Sequence, residues 1–159
     1  KPIQFHDEDI SLYSEEEWND YMNNNRPCIL TTAFRKSFME CFITFYKDST
    51  GKNGTDFKRS ITIEGENSKK ICPVNFSNVR VENSIVPTRS DGGGSTVLSS
   101  CNIFSGWRTR IKVSCPQIVF PIETLIQIIS TTGKYIGIGT QRVNEFGRYH
   151  IENVTVLNK

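Results

Sequence analysis

Histidines, paired cysteines and long apolar runs are what this chain has least of. Its only two histidines are His6, in a polar leader, and His150, which alternates with Tyr149 and Ile151 near the end. No nucleophile stands in an elbow motif or beside a sequence-local base, so no catalytic residue is expected. Asp7, Glu8 and Asp9 have no histidine or cysteine cluster to complete a ligand set, so neither a metal nor a cofactor is expected. Cys28, Cys41, Cys72, Cys101 and Cys115 are odd in number and contain no C-x-x-C pair. That spacing speaks against a full disulfide framework and against a zinc site, and it fits buried thiols in a reducing compartment. Asn-x-Ser/Thr triplets at Asn53, Asn75 and Asn153 keep a secreted glycoprotein open as the alternative. The longest apolar stretch, Ile118 to Ile129, is broken by Pro121 and Glu123, short of the ~20 residues a membrane span requires. The acidic opening is unlike a secretory leader. We therefore expect no membrane association and a cytoplasmic location.

What is present is an uneven charge distribution. Net charge is +2, yet residues 1–25 hold one basic and seven acidic side chains, whereas residues 26–159 hold eighteen basic and ten acidic. Ser14 with Glu17 three residues on forms a capping box that opens a short helix to Met22. The expected organisation is an acidic N-terminal extension over 1–25 and a single α+β domain over 26–159, with nine of the chain's ten phenylalanines available for its core. A basic body suits polyanion partners through counterion release, and equally suits an ordinary mixed surface.

Hydrophobic periodicity orders the rest. Phe34, Phe38, Cys41, Phe42 and Phe45 share a helical face, predicting a helix from Thr32, as its cap, to Tyr46. Asp48 to Asp56 reads as a loop, and Ser60 to Glu64 as a strand ending at Gly65. An interrupted strand region follows from Ile71 to Pro87. Asp91 to Ser95, with three glycines, reads as a hairpin tip or loop. Trp107 to Val113 alternates, placing Arg108, Arg110 and Lys112 on an outer basic face. Pro121 starts a second helix that Gly133 closes, and Tyr149 to Leu157 reads as a closing strand. This order predicts an antiparallel sheet with helices on one face, a ferredoxin-like arrangement.

Gly133 to Tyr149 carries four glycines and three cations in seventeen residues. Glycines Gly137, Gly139 and Gly147 let backbone amides approach a ligand, and Arg142 and Arg148 would complete an anion site. Tyr135, Phe146 and Tyr149 offer ring faces to bases. The same string also reads as a tight turn with its aromatics in the core. It is not a P-loop or a dinucleotide fingerprint, lacking the Gly-Lys-Ser/Thr ending of one and the preceding strand of the other.

Gly137-Ile-Gly139, a gap, then Phe146-Gly147-Arg148-Tyr149 resembles the C-terminal glycine-rich loop of the RAMP superfamily, the repeat-associated RNA-binding proteins of CRISPR effector complexes. Ile29 to Ala33 with Arg35 and Lys36, leading into a helix, is similar to that family's small-residue turn with a basic residue. The span from about Arg26 to Ile151, including Ile63-Glu64-Gly65, also resembles small uncharacterised tailed-phage proteins. The resemblance implies an RRM-like or RAMP-like domain holding single-stranded RNA or DNA. Two alternatives stand beside nucleic-acid binding. One is a viral structural or host-defence-inhibiting interaction protein, with homo-oligomers in view. The other is a sponge for a nucleotide messenger.

Overall fold

The computed structural model describes residues 27–87, 96–139, 142 and 145–157. The helix expected from Ser14, the whole acidic extension and the loop Asp91–Ser95 lie outside the described residues. The chain is α+β and divides into two compact units, Lys1–Pro73 with Arg110–Lys159, and Val74–Thr109.

In the first unit, β1 (Cys28–Leu30) leads directly into α1 (Thr31–Cys41). Thr32 was the expected cap, but the helix begins one residue earlier with Leu30 at the N-cap position. The amide of Thr31 donates to the carbonyl of Lys70 at 3.0 Å, and the buried Thr32 hydroxyl has no partner. Thr31, Ala33, Phe34, Ser37, Phe38 and Cys41 form the buried face, the three-and-four spacing of an amphipathic helix. A π-helical turn (Phe42–Tyr46) and a short α2 (Lys47–Thr50) continue the rod, so the predicted helix to Tyr46 is observed.

The expected loop over 48–56 is a correction. Asn53 accepts from the Asp56 amide at 2.9 Å while the Asp56 carboxylate accepts from the Asn53 amide at 3.0 Å. This reciprocal capping starts α3 (Gly54–Ser60) in spite of its leading glycine.

Three strand pairs are described, all antiparallel and each two-stranded: β1 with β3 (Ile71–Pro73), β2 (Thr62–Glu64) with β6 (Lys112–Ser114), and β4 (Asn78–Pro87) with β5 (Thr96–Ser105). Predicted strands at 60–64 and within 71–87 thus have counterparts, the second one split. The seven-residue strand expected over 107–113 shrinks to the β6 ladder and one bridge between Arg108 and Asn75. Exposure still alternates along it: Trp107, Thr109, Ile111 and Val113 are half-buried while Arg108, Arg110 and Lys112 are exposed. The expected closing strand over 149–157 does not form among the described residues. The Tyr149 amide bonds the Gly133 carbonyl at 3.1 Å, and Val154, Val156 and Leu157 lie exposed.

The core of this unit centres on three rings. Phe42 stacks on Phe57 at 4.7 Å, and Phe120 meets both edge-on at 5.5 and 5.7 Å. All three are buried together with Phe38, Ile61, Ile71 and Ile128. The second helix appears as α4 (Ile122–Thr131) with Pro121 immediately before it, at the N-cap rather than N1. Gly133 does not close it. The rod runs through a further π-helical turn (Thr132–Ile136) and stops at Gly137, whose φ of 80° no longer suits a helix. No helix among the described residues is long and apolar enough to cross a membrane.

Candidate nucleic-acid interface

The two π-helical turns each follow a helix, the first running on into α2, and each presents an aromatic ring to solvent. Phe45 from the first and Tyr135 from the second are 50 % and 53 % exposed, with centroids 5.9 Å apart and planes tilted by 45°. A π-helical turn adds one residue to the helical ring and rotates the following side chains off the buried stripe. Phe45, assigned by spacing to the core face, is turned outward in this way. Lys134 places its ammonium 5.1 Å from the centroid of Tyr135, within cation–π range.

Lys134 also lines an open cleft of about 470 Å³ with Ser130, Gly133, Arg148, Tyr149 and His150. Its walls are held by the 148–150 segment lying against the end of α4. Arg148 donates to the Lys134 carbonyl at 3.1 Å, and the Tyr149 hydroxyl donates to the Ile129 carbonyl at 2.8 Å. Burial raises the pKa of that hydroxyl above its ordinary value, so it stays protonated and a donor at neutral pH. Gly133 permits the approach, because a Cβ there would meet the Tyr149 carbonyl and ring. One lysine, one arginine and one histidine thus share a polar cleft beside two exposed rings.

The glycine string plays a different part from the one expected. The Gly137 amide donates to the Thr132 carbonyl at 2.8 Å, and the Ile138 amide donates to the Gly147 carbonyl at 3.0 Å. Ile138 is 3 % exposed, and Gly147, at φ 75°, admits the Ile138 carbonyl where a side chain would stand. These amides are spent on closing the turn, which corrects the expectation of an amide cradle for an anion. Gly139 shares the positive φ, at 86°. Arg142 pairs with Glu40 at 2.8 Å and reaches Ser37 at 3.4 Å. Phe146 and Tyr149 are half-buried.

The other expected cations are dispersed. Arg35 donates to the carbonyls of Ile61, at 2.8 Å, and Lys58, tying α1 to the end of α3. Its neighbour Lys36 is exposed. Lys112 pairs across the strands with Glu64 at 3.6 Å, Arg110 is exposed, and Arg108 belongs to the Val74–Thr109 unit.

No family model, no curated protein and no solved structure matches this chain.

Of the expected residues, then, Arg148 and Tyr149 belong to the cleft. Phe45, Ser130, Lys134 and His150 were not assigned to binding from the sequence. A signal for Phe45 existed: aromatic and aliphatic residues crowd 42–46 on more than one helical face, more than a single buried stripe accommodates.

Proposed function

We propose that this chain is a non-enzymatic protein that binds single-stranded nucleic acid, stacking bases on Phe45 and Tyr135 and holding backbone phosphate at Lys134, Arg148 and His150. One observation carries this proposal: Lys134 belongs to both the exposed ring pair and the basic cleft, so a base face and a phosphate site are contiguous. Ring stacking contributes about 1–3 kcal/mol per base and tolerates any sequence, because every base has a π-face. The surplus of basic over acidic side chains in residues 26–159 supports the same class of ligand.

Mononucleotides are a second class of ligand that the same cations would take. Kinship with ferredoxin-like RAMP proteins is part of the proposal as well, on the strength of the glycine string. Two-stranded sheets offer little platform for bases, so we assign recognition to the two π-helical turns. A reducing, cytoplasmic setting is proposed from the unpaired Cys28, Cys41, Cys72 and Cys115.

Fluorescence anisotropy with labelled oligo-dT and oligo-U at low salt tests the assignment. The Phe45→Ala/Tyr135→Ala double variant removes two exposed rings and should weaken binding at least about tenfold, the equivalent of one lost stacking contact. Lys134→Ala/Arg148→Ala should do the same. Wild-type affinity in both double variants would remove this surface from consideration.

A further inference from the structure

The cleft at the π-helical turn Thr132–Ile136 carries charge of one sign. Six residues line it, and none is acidic. Arg142 and Lys112 are paired with Glu40 and Glu64, whereas among the described residues neither Lys134 nor Arg148 has a carboxylate partner. The complementary charge stands at the other end of the sequence. Residues 1–25 hold seven acidic side chains against one basic, while residues 26–159 hold eighteen basic against ten acidic. Within that extension Glu15, Glu16 and Glu17 run directly into Trp18. Carboxylates beside a ring are the counterpart of cations beside the ring pair Phe45 and Tyr135.

Resting on the nucleic-acid reading above, we propose that this acidic segment occupies the cleft of its own chain and competes there with nucleic acid. The carboxylates of Glu15, Glu16 and Glu17 take the phosphate positions at Lys134 and Arg148, and Trp18 takes the place of a base against the exposed rings. The tether is long enough. The Tyr46 hydroxyl meets the Thr131 hydroxyl at 2.7 Å and Phe45 lies beside Tyr135, so the cleft stands at the far end of the helical rod that Thr31 begins. At about 1.5 Å per helical residue, Thr31 and Phe45 are roughly 21 Å apart. Glu15 reaches up to about 43 Å from Cys28 when the chain between them is extended, and about 30 Å with residues 14–22 helical. Such a tether holds the segment at roughly millimolar effective concentration. Single exposed ion pairs are weak. Even so, a segment binding with a dissociation constant of about 0.1 mM then closes the site about ten times more often than it leaves it open.

Two measurements on the full chain test this. In fluorescence anisotropy with labelled oligo-dT at low salt, Glu15→Gln/Glu16→Gln/Glu17→Gln should bind about tenfold more tightly than the wild type. Glutamine at position 17 keeps the capping box with Ser14. Asp7→Asn/Glu8→Gln/Asp9→Asn makes the same change of charge outside the segment and should gain far less. Carbodiimide coupling in the absence of nucleic acid should join Lys134 to Glu15, Glu16 or Glu17 within a monomer, read by mass spectrometry of the digest, and added oligo-dT should suppress that product. An unchanged affinity in the glutamine variant, equal gains from the two triple variants, or no such linkage overturns the proposal while the wild type's oligo-dT binding leaves the binding reading standing. No oligo-dT binding by any of the three proteins overturns the binding reading itself, and the competition with it.

Discussion

A methyl group on Gly133 would lie 2.7 Å from the ring of Tyr149. Glycine at this point of the π-helical turn lets the 148–150 segment close onto the end of α4, and so brings Arg148 and His150 beside Lys134. Gly133→Ala should therefore act on stability and binding together. Overpacking of this kind costs about 1–3 kcal/mol, so the thermal midpoint should fall by several degrees. Oligonucleotide affinity should fall as the cleft wall shifts outward. An alanine variant with an unchanged melting curve would contradict the contact.

Arg142 and Arg148, six positions apart in the glycine string, should separate in experiment. Arg142 is engaged by Glu40, and the two side chains are 35 % and 50 % exposed. A partly exposed ion pair contributes at most about 1 kcal/mol, so Arg142→Ala should change stability little and leave oligonucleotide affinity as it is. Arg148→Ala should weaken binding and lower the slope of log affinity against log salt by about 0.7, one phosphate contact on a single strand. Titrations at several salt concentrations distinguish the two. Equal loss from both would return the anion site to the loop.

The aromatic trio should dominate the stability of the first unit. Phe57 is fully buried, stacked on Phe42 and edge-on to Phe120. Phe57→Ala removes both ring contacts and leaves a cavity, at a cost of about 3–5 kcal/mol. Urea unfolding at neutral pH reads this directly; a loss below about 1 kcal/mol would mean the site collapses or the rings do not meet.

Alkaline pH should destabilise the fold through its buried thiols. Burial pushes Cys28 up to about 11 and Cys72 up to about 12, from an ordinary value of 9.0. Above pH 9 the unfolded chain releases thiol protons that the folded chain retains. The unfolded state then binds fewer protons, and stability falls as pH rises until the folded thiols themselves ionise. Each contributes up to about 1.4 kcal/mol per pH unit across that window. Urea midpoints should decline from pH 9 to pH 11, and Cys28→Ala and Cys72→Ala should each flatten the decline. A midpoint constant over that range in the wild-type chain would show that the thiols are not sequestered.

Local patterns were legible where neighbours in sequence decide the outcome. The apolar spacing of Phe34, Phe38 and Cys41 required a helix whatever it packed against, and Ile122, Leu125 and Ile129 required a second. The alternation from Trp107 to Val113 foretold which side chains are exposed, because an extended chain turns each successive residue over. It did not foretell the ladder, since a strand needs a partner and partners come from distant sequence. The same holds for Tyr149 to Leu157, where alternation is present and no partner strand is among the described residues. The loop expected over 48–56 failed for another reason. Gly51 and Gly54 favour a loop locally, but the reciprocal bonds of Asn53 and Asp56 satisfy end amides of a helix turn and outweigh them.

By itself the amino-acid order determined the periodic elements, the uneven charge and the existence of a glycine-dependent turn at its C-terminal end. Only the tertiary structure decided what that turn is for. Positive φ at Gly137 and Gly147 is compatible with amides offered to an anion and with amides turned inward; the Thr132 carbonyl, reached across the π-helical turn itself, and the Gly147 carbonyl, brought in by the return of the chain, selected the second. Likewise Phe45 and Tyr135 are ninety positions apart in sequence, and they form a pair because two π-helical turns come together. Hydrogen-bond competition and ring proximity depend on distances between remote segments, and those distances exist only once the chain has folded.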